Sequence, residues 1–510
     1  MYPGVHAVTT PDKPALIMAG SGEVLTYRKL DERSLRLANA LRAAGLSKGD
    51  VVAVLSDNNL HAYEVYWAGV RSGLYVCAVN SHLQPDEVAY IVNDSGASAL
   101  VVSAGLGALP EQVAELTSDV RVRLAYGGPV AGYGDYEEAL ATASAEAPAV
   151  QPCGADLLYS SGTTGRPKGI RPELPDRQVH EPGNILVDLL RGFYGFDEDT
   201  VYLSPAPVYH AAPLRYCAAV HAIGGTVVMM ERFEPEQALR AIERYEVTHS
   251  QWVPTMFVRM LKLDEQTRHR YDLSSHRNAV HAAAPCPIEV KRAMIEWWGP
   301  ILQEYYSSTE GIGMTMIDSA QWLEKPGSVG RPLLGIVRVC DEAGDELPAG
   351  EVGTVFFERE EIEFEYLGDP EKTRSAKHPG HLNWATTGDL GYLDEDGYLF
   401  LTDRKAFMII SGGVNIYPQE VEDVLALHPS ILDVAVFGVP DPEMGEAVKA
   451  VVQPAPGARP GPELERQIID HARERVAHYK VPRSVDFVDE MPRTPTGKLV
   501  KGKLKARYAN

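Results

Sequence analysis

A chain of 510 residues is longer than one hydrophobic core normally serves, so two or more domains are expected. Its 45% apolar and 23% charged content is that of a folded globular protein and excludes a disordered one. Forty-eight basic against seventy acidic side chains give a formal charge of -22, which repels phosphate backbones and anionic lipid, so no nucleic acid partner is expected.

The first residues, Met-Tyr-Pro-Gly-Val-His, lack a basic stretch followed by an apolar core, and no apolar run approaches the ~18 residues of a membrane span. Apolar runs at 51–55 and 99–103 alternate with amphipathic stretches such as 30–44, which predicts strand–helix alternation and a parallel sheet. Residues 105–138 read as a loosely ordered connection with one short helix, and 139–152 as a linker. The five cysteines (Cys77, Cys153, Cys217, Cys286, Cys340) are scattered and never form Cys-x-x-Cys, which fits a reducing cytoplasm better than a disulfide framework or zinc site. Cys286 reads as a small buried residue rather than a nucleophile.

The most informative stretch follows at 157–170, Leu-Leu-Tyr-Ser-Ser-Gly-Thr-Thr-Gly-Arg-Pro-Lys-Gly-Ile. Gly162 and Gly165 allow main-chain N–H groups to approach a polyphosphate, the hydroxyls of Ser160, Ser161, Thr163 and Thr164 add donors, and Lys168 adds charge. A Walker loop would follow Gly-Lys with Ser or Thr; here Pro167 precedes the lysine and Gly169 follows it, so this is a different nucleotide loop. Residues 171–199 are polar and broken by Pro172, Pro175 and Pro182 ahead of a helix-like 184–193, and read as either a lid over the site or a surface loop. Acidic, glycine-containing clusters at 341–345 and 394–397 predict hairpin turns and a small β-rich subdomain over about 320–402. The pattern then restarts, with helices at 417–428 and 463–477 and strands at 434–439 and 447–452.

The 157–170 run resembles the signature loop of the adenylate-forming superfamily, and six further segments agree in order: Tyr209-His210-Ala-Ala-Pro213, Ala282-Ala-Ala-Pro285, Tyr305-Tyr306-Ser-Ser-Thr309-Glu310-Gly311, Thr387-Gly-Asp389, Asp403-Arg404 and Pro495-Thr-Gly-Lys498. The resemblance covers about 26–503 and is closest to AMP-dependent acyl- and aryl-CoA synthetases. It implies an α/β fold: a large N-terminal domain (1–403) of mixed and parallel sheets with flanking helices and a small β subdomain, and a small mobile α+β C-terminal domain (404–510). It implies ATP, Mg²⁺ and a small-molecule carboxylic acid as ligands, CoA as co-substrate, and acyl-adenylate formation followed by thioester formation; a homodimer is compatible with it.

By the same resemblance Glu310 coordinates Mg²⁺, Thr309 donates to the α-phosphate, and Tyr306 stacks on adenine, beside Tyr305, Ser307 and the Ala283-Ala284-Pro285 turn. Asp389 takes the ribose hydroxyls, Arg404 binds ribose or phosphate, and Lys498 contacts the acyl carboxylate and α-phosphate during adenylation. His210 either flanks the acyl group, gates CoA, or is a buried structural histidine. Trp252, Val253, Phe257, Ala282 to Ala284 and Gly311 to Met314 are expected to wall an apolar acid pocket.

Four positions depart from the CoA-ligase pattern. Ser307 stands where glycine is usual and is expected to narrow the acyl pocket; Ala406 and Phe407 replace the charged and acidic hinge residues; Val414 replaces a glutamate. The alternative these departures leave open is an adenylating enzyme with a non-CoA acceptor, a carrier protein or an amine, or one that activates nitrite to diazotise an aromatic amine.

Overall fold

The computed structural model describes residues 2–160, 167–362, 364–404, 407–412, 414–493 and 499–508, with the main chain alone at Ser160, Arg404 and Lys503. The alternation read from the N-terminal third forms a wholly parallel six-stranded sheet in the order Gly134–Asp135, Val122–Tyr126, Ala97–Ser103, Val51–Leu55, Tyr75–Val79, Ala155–Asp156. All five residues of Val51–Leu55 are buried, as a strand covered on both faces requires. The connection at 105–138 is more ordered than its composition predicts. It carries the helix Leu109–Leu116 and the strand Val122–Tyr126, and the helix Tyr136–Thr142 runs into the expected linker. Gly and Ala diluted the apolar pattern there, and tertiary pairing with Ala97–Ser103 overrides weak local preference.

The second sheet has fourteen strands and changes character at Leu302–Ser307. On one side lie parallel neighbours, Asn278–His281, His249–Trp252, Val201–Ser204, Thr226–Met229 and Pro14–Met18. On the other, Met314–Asp318, Ser328–Leu334, Leu399–Arg404, Asp389–Leu393, Gly353–Glu358 and Ile336–Cys340 run antiparallel. The small β-rich subdomain expected over 320–402 is thus present and continuous with the large sheet through Ser328–Leu334. Gly330 allows the join: its φ is +96°, and a Cβ there would stand 2.0 Å from the Met316 carbonyl oxygen.

A small three-stranded sheet, Leu158–Ser160, Lys168–Arg171 and Glu365–Tyr366, brackets the glycine-rich run, pairing Ser160 with Lys168. The C-terminal unit has its own five-stranded sheet, in which Ile431–Asp441 and Gly445–Pro454 form a long hairpin against Ser484–Phe487. Helices Pro418–Ala426 and Pro462–Arg473 cover it through Val421, Leu425, Leu464 and Ile468, all buried. Among the described residues no helix is long and apolar enough to cross a membrane.

Candidate active site

Three neighbouring parallel strands end at one place, and the segments that leave them form the floor of a cleft of about 2110 Å³. His249–Trp252 delivers Trp252 and Val253, Asn278–His281 delivers Ala282 to Pro285, and Leu302–Ser307 delivers Tyr305 to Gly311. Ligand sites belong at the carboxyl ends of parallel strands where the order switches, because the chain must turn away there and leaves a crevice. Ala283 has φ +76°, a left-handed conformation that a residue with a Cβ adopts at a cost of about 1–3 kcal/mol. Strain of that kind sits in the segment where resemblance placed the adenine.

Thr387, Gly388 and Asp389 enter the cleft from the antiparallel half. Asp389 is only 8% exposed, and its Oδ2 accepts from the Tyr306 hydroxyl (2.7 Å) and the Thr387 hydroxyl (2.8 Å). A residue expected to stack on adenine thus also orients the carboxylate expected to hold the ribose. Glu310 is held likewise: the Tyr366 hydroxyl donates to its Oε1 at 2.7 Å. Thr309 and Ser308 line the cleft beside it.

Ser307, expected to narrow the pocket, spends its hydroxyl on the Gly313 carbonyl at 2.7 Å, tying down the turn that carries Thr309 and Glu310. Gly313 is obligatory, since a Cβ would lie 2.0 Å from the Phe357 ring. Trp252, Val253, Ala282 to Ala284, Gly311, Gly313 and Met314 line the cleft; Phe257 and Ile312 do not. Phe257 is fully buried against Trp252 and Trp298, because it sits on the inward face of helix Pro254–Leu261.

His210 precedes the first turn of helix Ala211–Ile223 and lines the cleft, its ring 4.4 Å from that of Tyr209. Lys168 does not line the cleft; its ammonium pairs with Asp369 Oδ2 at 2.8 Å. That pairing holds the Asp369 carboxyl below its ordinary value. The predicted loop residues Ser161, Gly162, Thr163, Thr164 and Gly165, the lysine expected to be catalytic, Lys498, and Ala406 lie outside the described residues. Pro172, Pro175, Arg177 and Val179 wall the cleft, and hydrogen bonds from Cys153 to Arg177 and from Val179 to Gln151 fasten this segment. Cys286, expected to be a small buried residue, is half-buried and lines the cleft, and desolvation pushes its thiol well above its ordinary range, which disfavours the nucleophilic thiolate.

The C-terminal unit closes the open side with Gln419, Asp423, Arg493, Leu499 and Lys501. Lys262, at the end of helix Pro254–Leu261, donates to the Ile431 (2.6 Å) and Leu432 (3.2 Å) carbonyls across the boundary. Phe407, the hinge departure, faces the cleft with the Lys501 ammonium 5.6 Å from its ring centre, while Lys501 pairs with Glu422 at 2.8 Å.

Sequence reasoning missed several charged groups beneath this surface. Lys291 is fully buried on Glu304 at 2.5 Å, and Arg215 pairs with Asp156. Only Arg215 carried a signal, its position one helical turn beyond Ala211.

Fold and cleft together define an adenylate-forming enzyme. The chain belongs to the AMP-binding enzyme family: residues 5–367 match the AMP-binding enzyme domain, and 420–498 match the AMP-binding enzyme C-terminal domain. It is 36% identical over 496 residues to a feruloyl-CoA synthase of Amycolatopsis sp, covering 96% of this chain and 94% of that one. It is 32% identical to the fatty acid–[acyl-carrier-protein] ligase ScoC of Streptomyces coeruleorubidus, covering 99% and 95%. The anthranilate CoA ligase AuaEII, solved with anthranoyl-AMP, superposes with a TM-score of 0.85 at 27% identity over 99% of this chain and 96% of that one.

Proposed function

We propose that this enzyme joins a small carboxylic acid to CoA in two steps, an attack of the acid's carboxylate on the α-phosphorus of ATP that expels pyrophosphate, and a thiol attack on the acyl-adenylate that expels AMP. The observation that carries the reading is the convergence of Tyr305 to Glu310, Ala282 to Pro285 and Thr387 to Asp389 on one cleft that the C-terminal unit closes.

Both reactants of the first step are anions, so catalysis asks for fixed positive charge and alignment rather than a general base. Asp389, held by Tyr306 and Thr387, is suited to accept hydrogen bonds from the ribose hydroxyls. Thr309 is the donor to the α-phosphate. The donor set fits Mg²⁺: Glu310 offers a hard carboxylate oxygen, its other oxygen steadied by Tyr366, and among the described residues no group of three or more His, Cys, Asp or Glu could hold a metal. One protein carboxylate, that of Glu310, would suit an ion that arrives with the nucleotide and would supply positive charge against its phosphates. Lys498 supplies the remaining charge from the C-terminal domain, whose boundary we set at 403/404.

A thiol on a carrier protein is the second reading for the acceptor, favoured by the likeness to ScoC and by Phe407 at the hinge. The five cysteines, free of disulfides, support a reducing cytoplasm. The test is incubation with ATP, Mg²⁺ and a panel of aliphatic and aromatic acids, with and without CoA, followed by mass spectrometry. AMP and an acyl-CoA are expected; adenylate that accumulates unchanged in the presence of CoA would remove CoA as acceptor.

A further inference from the structure

Among the apolar residues that line the cleft stand a few charged side chains, and Arg215 is one of them. Helix Ala211–Ile223 follows His210 and lines the cleft with Ala211, Ala212, Pro213, Arg215, Tyr216 and Ala218, while Leu214, Cys217 and Ala219 to Ile223 are buried behind it. The same cleft is lined by Ile185, Leu186 and Leu189 of one helix and by Trp67 and Val70 of another. The Arg215 side chain is nonetheless 34% exposed, and the space it is exposed to is the cleft.

Its partner fixes which edge of the guanidinium is offered. Arg215 Nε donates to Asp156 Oδ2, and Asp156 Oδ1 accepts from the Tyr66 hydroxyl at 3.2 Å, so both carboxylate oxygens are engaged inside the wall. Among the described residues neither Nη1 nor Nη2 of Arg215 has a hydrogen-bond partner. An Nη pair held by its Nε in an apolar chamber is a fork for one acceptor group, since a planar guanidinium takes two parallel bonds to an oxygen pair. Arg215 follows His210 by five residues, or ~7.5 Å along a helix.

Resting on the reading that the reacting carboxyl lies beside His210 and Thr309, we propose that Arg215 determines specificity: the acid carries a second oxygen acceptor at its far end, a carboxylate or a phenolic oxygen, which the Nη pair of Arg215 holds. The chamber's apolar walls take the carbon skeleton between the two oxygen groups. An acid without the second group leaves the fork unpaired, and a site built for a hydrogen bond rejects such an analogue strongly.

The test compares matched acids on the full chain: phenylpropanoic acid against its para-hydroxy and para-carboxy derivatives, and hexanoic against hexanedioic acid. With ATP, Mg²⁺ and CoA, kcat/KM from AMP release should favour an oxygen-bearing member by roughly tenfold to a hundredfold. The arm that wins tells carboxylate from phenol. Arg215→Met should bring the ratio close to one, mainly through KM, and Arg215→Lys should restore part of it. Because Arg215→Met leaves Asp156 unpaired, Arg215→Met/Asp156→Asn is measured beside it, with the same collapse expected. A wild-type ratio near one, or a ratio unchanged in both methionine variants, overturns the proposal. Thermal stabilisation by the same acids with AMP bound reads the fork without turnover. Stabilisation selective for oxygen-bearing acids and lost in the variants supports it even if no acid releases AMP, an outcome that would instead refute the ligase reading; equal stabilisation by both members overturns it.

Discussion

Replacing Lys291 with methionine keeps the volume of a fully buried side chain and removes its charge, leaving the Glu304 carboxylate without the ammonium 2.5 Å away. Nothing nearby takes over: His281 Nε2 is 3.7 Å from Glu304 Oε2, and burial holds that imidazole well below its ordinary value, so it is neutral at pH 7. Breaking a buried pair from one side costs about 3–5 kcal/mol, because the remaining charge is desolvated and unpaired. At about 2.1 cal/mol/K of unfolding entropy per residue, a unit of roughly 400 residues has ~0.8 kcal/mol/K, so the midpoint should fall by about 4–6 °C. Burial already raises the Glu304 carboxyl above its ordinary 4.5, and without Lys291 it rises further. A carboxyl raised in the folded state binds more protons there than in the unfolded chain, so the variant's deficit should shrink as pH falls toward about 5 and widen above it. Differential scanning calorimetry between pH 5 and 8 reads both effects. Lys291→Met/Glu304→Gln, with no charge to strand, should recover to within about 2 kcal/mol of the wild type. If the double variant is as unstable as the single one at pH 7, the loss is one of packing and the argument from an unpaired charge is wrong.

Lys498→Ala should suppress adenylate formation by roughly a hundredfold, on the order of 3 kcal/mol, while transfer from supplied adenylate stays largely intact; equal loss in both half-reactions would remove the assigned role. Asp389→Asn should raise KM for ATP by roughly tenfold to a hundredfold, and Tyr306→Phe by a smaller factor because it only loosens the carboxylate; steady-state kinetics at varied ATP separates them. Lys262 tests domain closure. Burial between the two units lowers its ammonium to about 8 from 10.5, so the closed form holds fewer protons than the open one, and closure should strengthen as pH rises from about 8 toward 10. Small-angle scattering across that range should show compaction in the wild type and a flat response in Lys262→Met.

What the sequence determined is what lies within a few residues along the chain. The strand-like run at 51–55, the glycine and hydroxyl pattern of 157–170 and the motif at 305–311 are local, because strand and helix periodicity and turn chemistry depend on near neighbours. Those segments sufficed for the α/β class and the family. Tertiary structure decided the partners. Tyr306 meets Asp389 from 83 residues away, Arg215 meets Asp156 from 59, and Tyr366 reaches Glu310 from 56. No periodicity encodes such pairs, since they exist only once sheet register has brought the elements together. The same holds for Phe257, whose helix face turned it into the core, and for the β subdomain of 320–402, whose continuity with the large sheet rests on hydrogen bonding at Ser328–Leu334. A side chain's chemistry is written in the sequence; which charge it faces, and whether water reaches it, is settled by packing between residues the chain keeps far apart.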